Sequence, residues 1–556
     1  MKYIPSSVLA TLISMLLMVS SFSCQVDSVS QNADIDRIFE KYNTKSGPGC
    51  VVSVIHNGKV VHTKGYGLAN LEYDIAITPS TVFDIASVSK QFTGYAISTL
   101  LHEGRISLDD DIRKYLPEVP DFGKTITIRH LVHHTSGLRD WPQTLNVAGW
   151  RWDEVFSFED ILRMVKNQKE LDFDPGTQFM YSNTGYNLLA AIVEKVSGQS
   201  FREWTAENIF SGLDMRSSQF LDDHHKVIKN LAYSYHRSGS QFAKSSTGLT
   251  AYGSSSLFTT VEDLAKWVIN FDKEIASKNP VYLRMLEDGV LSNGEKVGYG
   301  YGLGLGEEGK LKTVSHTGGW AGYRTVVMNF PSEKFSCIIL SNASDFNPYA
   351  YSLDVAKLFL EENFKGNEKG ADSVKNMPTV AVDTAFARKA TGMYQLGDGW
   401  YVTITLEGGQ LMTKANGEEK FPMKAKSDSV FWIDAYDASM TFLEDNDGNV
   451  SSLRYRWIDS AKKVIPRQVD INLLSNYTGT YYSEELSCEY HVALTNGKLM
   501  MHHMRLGEFE LQPDPVTAEQ FSSTVGRVLF VKDEEDKLTG FRLSGGRVKN
   551  LRFDKK

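Results

Sequence analysis

At 556 residues the chain is long enough for roughly three to four domains, and its 42% hydrophobic and 23% charged residues place it among globular proteins, outside the disordered, collagen-like and coiled-coil classes. Its 59 basic against 68 acidic residues leave a net charge of −9, which argues against a protein that lives by neutralising phosphates; no nucleic-acid partner is expected.

The chain opens with Met1-Lys2, an apolar run from Val8 to Val19, and the small-residue pattern Ser21-Phe22-Ser23 before Cys24. This order predicts a secretory signal over residues 1–24, since the run is shorter than the roughly 20 apolar residues of a spanning helix. The segment resembles a bacterial lipoprotein leader, although Ser21 stands where such leaders usually carry Leu. The expectation is an exported bacterial protein, either periplasmic or anchored in the outer membrane by lipid on Cys24. Cys50 and Cys337 sit in apolar, strand-like runs and read as buried thiols, with a 50–337 bridge as the alternative; Cys488 completes the set.

Residues 35–364 mix strands (50–56, 59–63) with amphipathic helices (91–103), which predicts an α/β (α+β) domain. Periodicity lapses over Lys365–Asp383, and a linker is placed at 365–385. Beyond it the pattern turns to short alternating strands. Thr391-Gly392-x-Tyr394 recurs as Thr478-Gly479-x-Tyr481; Val402, Ile404, Leu406, Gly409, Leu411 and Phe442 recur 88 residues later as Tyr490, Val492, Leu494, Gly497, Leu499 and Phe530. This internal duplication predicts two small antiparallel β-domains, at 386–460 and 474–556.

Phe83 to Lys90 (FDIASVSK) runs into a helical pattern, placing Ser87 in a first turn and Lys90 one turn later on the same face. A serine hydroxyl needs a neighbouring base, a lysine can supply one when its own proton is lost, and a helix N-terminus offers backbone N–H groups to an oxyanion. Tyr181-Ser182-Asn183, after the turn Pro175-Gly176, offers a phenol for proton relay and an amide for a substrate carbonyl. His316-Thr317-Gly318-Gly319 begins a strand pattern continuing through Thr325–Phe330, where a backbone N–H can complete an oxyanion hole.

Other patterns read as structure. His133-His134 and His502-His503 lack partners at ligand spacing and read as turn and packing residues, so no metal is expected. The glycines at 298, 300, 302, 304 and 306 fail the dinucleotide pattern and mark a strand with close backbone approach; no cofactor is expected. Asp445-Asn446-Asp447-Gly448 lacks carboxylates at Leu443 and Arg454, which calcium would need, and reads as a hairpin turn. A Gly-x-Ser-x-Gly elbow is absent.

In this order, Ser-x-x-Lys, Tyr-x-Asn and His-x-Gly resemble the serine β-lactamase and penicillin-binding superfamily, specifically its class C β-lactamase, D-aminopeptidase and esterase branch. Leu131–Leu138, Ile106–Asp110 and Tyr301–Gly304 resemble that branch too, and the match covers roughly residues 45–345. The resemblance implies that Ser87 is acylated, that Lys90 and Tyr181 share the acid–base work, and that Asn183 orients the substrate amide. It further implies that His316 and Thr317 line the far wall, that Gly318 and Gly319 belong with them to the substrate-binding set, and that the Ser87 and Gly319 N–H groups hold the oxyanion. β-Lactamases usually carry Lys at the position of His316, and a histidine, with its ordinary pKa near 6.5, is a weaker anchor for a substrate carboxylate. Arg324 could restore a positive charge there, although it reads more simply as a solvated surface residue. The expected function is an acyl-enzyme hydrolase of short D-residue peptides, peptidoglycan fragments or small esters, with β-lactamase and a non-turnover penicillin-binding sensor as alternatives. The tail resembles the lipocalin-like C-terminal domains of some members of this branch.

Overall fold

The computed structural model describes residues 31–245, 248–364, 371–456, 458–468 and 470–556; the leader and Cys24 lie outside them. The chain divides into two compact units, the first reaching Leu145 and resuming over Trp150–Phe364, the second joining Asn146–Gly149 to the chain beyond Lys365.

The first unit is built on a six-stranded antiparallel sheet. Its strands are β1 (Cys50–His56), β2 (Lys59–Tyr66), β3 (Gly304–Glu308), β4 (Leu311–Trp320), β5 (Tyr323–Phe330) and β6 (Phe335–Ser341), in the order β3-β4-β5-β6-β1-β2. The unbroken apolar runs of β1 and β6 follow from burial on both faces. Val51, Ile55, Val327, Ile338 and Leu340 enter one core, while Val52, Val54, Met328, Cys337 and Ile339 enter another with Phe39, Val355 and Leu360. The larger core is shared with helices α1 (Lys90–His102), α2 (Asn183–Ser197) and α3 (Val261–Ala276), and α4 (Pro348–Phe364) covers the opposite face.

Two sequence readings need correction, and of the two readings of Cys50 and Cys337 the buried thiols hold and the bridge does not. His316 and Thr325 do not share one strand: a tight turn at Ala321-Gly322, with Ala321 at φ 47°, folds β5 back on β4 so that Gly319 faces Arg324. The register of β1 and β6 sets Cys337 against Val54 and Cys50 against Ser341, and both thiols are free and buried, so no 50–337 bridge forms. Only Gly304 and Gly306 of the spaced glycines lie in a strand. Gly302, at φ 74°, shows the close approach in an irregular loop, where a Cβ would lie 2.3 Å from the Lys90 carbonyl oxygen.

The second unit holds both β-domains. Residues 371–376, within the expected linker, form a short helix, and Lys375 there bonds Asp437 at 2.6 Å. The first β-domain is a nine-stranded sheet whose first and last long strands, Gly392–Gly397 and Ile458–Val464, pair; its two edge strands, Phe421–Pro422 and Lys424–Ala425, are separated in sequence only by Met423. The second is a closed eight-stranded barrel. Asp445 makes the hairpin turn by accepting from the N–H groups of Asp447 and Asn449.

The duplication is physical as well as textual. Gly392 and Gly479 adopt φ 141° and 145°, the Tyr394 and Tyr481 hydroxyls donate to carbonyls four residues upstream at 2.8 and 2.6 Å, and Lys463 and Lys555 lie over the two rings. Rings fill the second barrel: Phe541 stacks on Phe553 at 4.7 Å and meets Tyr481 at 5.0 Å.

Candidate active site

Ser87 lies in a 3-10 turn, Ala86–Ser89, that feeds α1, whose first residue is Lys90. With three residues per turn, positions i and i+3 eclipse, so both side chains emerge on one side. The turn is held tightly. Ala86 is forced to φ 48°, its N–H donates to Asp84 Oδ1 at 2.8 Å, and Thr325 Oγ1 donates to the Ile85 carbonyl at 2.8 Å. Burial pushes the Asp84 carboxyl up to about 7. Ser89 Oγ accepts from Leu257 N–H, a supporting bond inside the core. Gly318 of β4 must be glycine, because a Cβ there would lie 2.2 Å from the Ile85 carbonyl oxygen.

Lys90 is fully buried, and its Nζ donates to Asn183 Oδ1 at 2.7 Å, to the Ser254 carbonyl at 2.7 Å and to Ser87 Oγ at 3.1 Å. It also stands 4.8 Å from the Tyr181 ring centre and 5.7 Å from that of Tyr186. Two of the three hydrogen-bond partners are carbonyl oxygens, which can only accept. A deprotonated Lys90 has two N–H bonds for them, and its lone pair then faces the serine hydroxyl.

Asn183 begins α2, with Ser182 as N-cap accepting from Gly185 N–H. Asp140 clamps it, taking its backbone N–H at 2.6 Å on one oxygen and its side-chain Nδ2 at 3.2 Å on the other. That fixes the amide so that its oxygen points to Lys90. The residue before Asp140, Arg139, forms a fully buried ion pair with Asp172. His134, at φ 59°, accepts Ser182 N–H on Nδ1 at 3.0 Å and packs 4.3 Å from the Tyr181 ring, so the turn-and-packing reading of this histidine describes what it does.

His316 is buried, and both of its nitrogens are engaged. Nδ1 meets its neighbour's carbonyl, Thr317 O, at 2.6 Å and Nε2 meets the Tyr299 hydroxyl at 2.8 Å. A carbonyl only accepts, so Nδ1 carries the proton and Nε2 accepts from Tyr299. Burial, with a further push from Lys90 while that amine is protonated, holds the His316 pKa down at about 3; burial likewise keeps the Tyr299 phenol protonated. Thr317 and Gly319 are exposed on β4, while Gly318 is buried. Arg324 is half-buried rather than solvated, its Nη1 donating to the carbonyls of Ala321 and Tyr323 at 3.1 and 2.7 Å.

The structure therefore gathers Ser87, Lys90, Tyr181, Asn183 and His316 around one buried amine, with the exposed Thr317 and Gly319 on the strand beside the serine turn. Asp140, Ser254 and Tyr299 also belong to the site and were not singled out from the sequence. Asp140 and Ser254 carry no motif signal, and Tyr299 was hidden among the spaced glycines.

The Beta-lactamase family profile matches residues 35–361. A penicillin-binding protein of Bacillus subtilis (strain 168) is 27% identical over 446 residues, covering 76% of this chain and 96% of its own. A D-aminopeptidase of Brucella melitensis is 24% identical over 480 residues, 84% of each chain. Among solved structures, the octameric penicillin-binding protein homologue from Pyrococcus abyssi shares the fold with a TM-score of 0.55 at 22% identity, over 86% of this chain and 98% of its own. With its motifs converging on one lysine and its sequence matched over residues 35–361, the chain belongs to the β-lactamase family and is a serine hydrolase of the β-lactamase/transpeptidase type.

Proposed function

We propose that the protein is an exported hydrolase that acts through a Ser87 acyl-enzyme on short D-residue peptides, peptidoglycan fragments or small esters. The observation that carries this reading is the Lys90 amine 3.1 Å from Ser87 Oγ, with its other directions occupied by acceptors. Lys90 takes the Ser87 proton as Oγ bonds to the substrate carbonyl carbon. The oxyanion is held by the N–H groups of Ser87 and Gly319. Collapse breaks the bond to the leaving amine or alcohol, which receives the proton through Lys90 and Tyr181, and water then releases the acyl group by the reverse proton path. Asn183 and Thr317 bind the substrate's amide groups on the two walls.

The neutral His316 supports peptidase or esterase action over β-lactamase action, because it supplies no cation for a β-lactam carboxylate. A relative named D-aminopeptidase supports the same class. The leader pattern supports export, with Cys24 as the lipid-bearing residue; loss of fatty-acid labelling in Cys24→Ser checks that.

The test is intact-mass spectrometry with a D-aminoacyl ester and, separately, a penicillin. Rapid product release with a transient adduct on the ester is expected, and Ser87→Ala should abolish the adduct. A persistent adduct without product would overturn hydrolysis in favour of a sensor, and faster turnover of the penicillin would make the protein a β-lactamase.

A further inference from the structure

On each of the two walls of the site one residue is followed directly by a tryptophan: Asp140, which positions Asn183, by Trp141, and Gly319 by Trp320. The two indoles meet at 5.6 Å. Phe156 packs 5.3 Å from Trp141 and 6.0 Å from Trp320, and Trp152 lies 6.0 Å from Trp320. The group is layered. Trp141 and Phe156 are buried beneath it, each about 1% exposed, Trp320 is half-buried, and Trp152 is 49% exposed.

The base is tied to the catalytic frame, since Trp141 N–H donates to Thr184 Oγ1 at 2.9 Å and Thr184 Oγ1 donates to the Arg139 carbonyl at 2.8 Å, next to Asn183. The Trp141 indole N–H is buried with no acceptor among the described residues, which is unusual for a purely structural indole. An exposed indole standing on a buried aromatic base costs solvent-exposed apolar area that folding alone does not require.

From this geometry we infer that Trp152 and Trp320, on their base of Trp141 and Phe156, form the substrate's acyl-side subsite, which takes an aryl or comparably bulky apolar side chain. This deepens the hydrolase reading and rests on it. The direction follows from the strand. Lys90 and Tyr181, which protonate the leaving group, sit at the His316 end of β4, with the Tyr181 and His316 rings 6.1 Å apart. Trp320 lies four residues further along, past Gly319, about 13 Å away at a strand's rise. A substrate whose oxyanion sits at Gly319 has its leaving group toward His316 and its acyl group toward Trp320.

The test compares phenylacetyl and acetyl esters with the same leaving group. The wild-type kcat/KM should favour the phenylacetyl ester by about tenfold or more. Trp152→Ala should lower that preference about tenfold, through KM rather than kcat, at unchanged Tm, and Trp152→Phe should retain most of it. Equal kcat/KM for both esters in the wild type, or an unchanged preference in a folded Trp152→Ala, overturns the subsite and leaves the hydrolase reading standing. Hydrolysis of neither ester overturns both.

Discussion

At the scale of single residues the site is a set of obligate acceptors arranged around one amine. Asn183 can hold Lys90 only while its amide is kept from flipping, and Asp140 does that through two bonds. Asp140→Ala is expected to leave the serine in place yet lower kcat/KM by about 10- to 100-fold, because a misaligned neighbour costs catalysis without removing the nucleophile. Steady-state kinetics together with covalent labelling separate the two effects. Tyr299 acts on His316 in the same indirect way. Donation from the phenol favours the unprotonated imidazole, so Tyr299→Phe should raise the His316 pKa from about 3 and move the acid limb of the kcat/KM profile upward, while the wild type shows no His316 titration between pH 5 and 8. An acid limb that stays put would show that the hydroxyl does not govern the imidazole. His316→Lys is expected to improve the use of carboxylate-bearing substrates, read as a lower KM for them.

At the scale of elements the controlling piece is the turn from Phe83 to Ser89. Its positive-φ Ala86 and buried Asp84 are unfavourable locally and are held by Thr325 and the bare backbone of Gly318. Asp84 has a direct consequence for stability. Its carboxyl is raised from 3.8 to about 7, so the folded state holds the proton more tightly than the unfolded chain does. The stabilisation from that protonated form is complete below pH 3.8 and is lost as pH rises through about 7. Asp84→Asn, which keeps an acceptor for Ala86 N–H, should therefore raise Tm relative to the wild type at pH 8 and lose that advantage at pH 4, on the order of 1 kcal/mol per unit of displacement. A pH-independent difference would locate the effect elsewhere. The Ser87–Lys90 spacing and the helix behind it were legible because i, i+3 placement is a local property. The hairpin at Ala321-Gly322 was not, because Ala at positive φ is no turn signal and the two-residue turn sits between two strand patterns without interrupting either.

At the scale of the molecule the duplicated β-domains are joined within their unit by a buried carboxylate. Asp514 accepts from the Tyr401 hydroxyl at 3.0 Å on both oxygens, from Gln520 Nε2 at 2.9 Å, and from the N–H groups of Val516 and Thr517 at 2.9 and 2.7 Å. Tyr401 belongs to the first repeat and Asp514 to the second. Asp514→Ala leaves several buried donors without an acceptor and should destabilise this unit by about 3 kcal/mol. In differential scanning calorimetry the transition of the β-unit should fall, and an unchanged thermogram would mean that water replaces the carboxylate.

Three things about this protein followed from its residues in order. Alternating strands and their 88-residue recurrence specified two β-domains, because side chains alternate across any strand whatever it packs on. Ser-x-x-Lys, Tyr-x-Asn and His-x-Gly specified the family and its serine chemistry, and the mixed texture of 35–364 specified the class of the catalytic fold. Tertiary structure alone decided which partners orient that chemistry. Asp140 and Asn183 are 43 residues apart, Lys90 and Ser254 are 164 apart, and Trp141 meets Trp320 across the whole catalytic unit. Such pairings leave no periodic trace, because they depend on where α2, β4 and the intervening loops come to rest on the sheet and not on any local preference of the residues themselves.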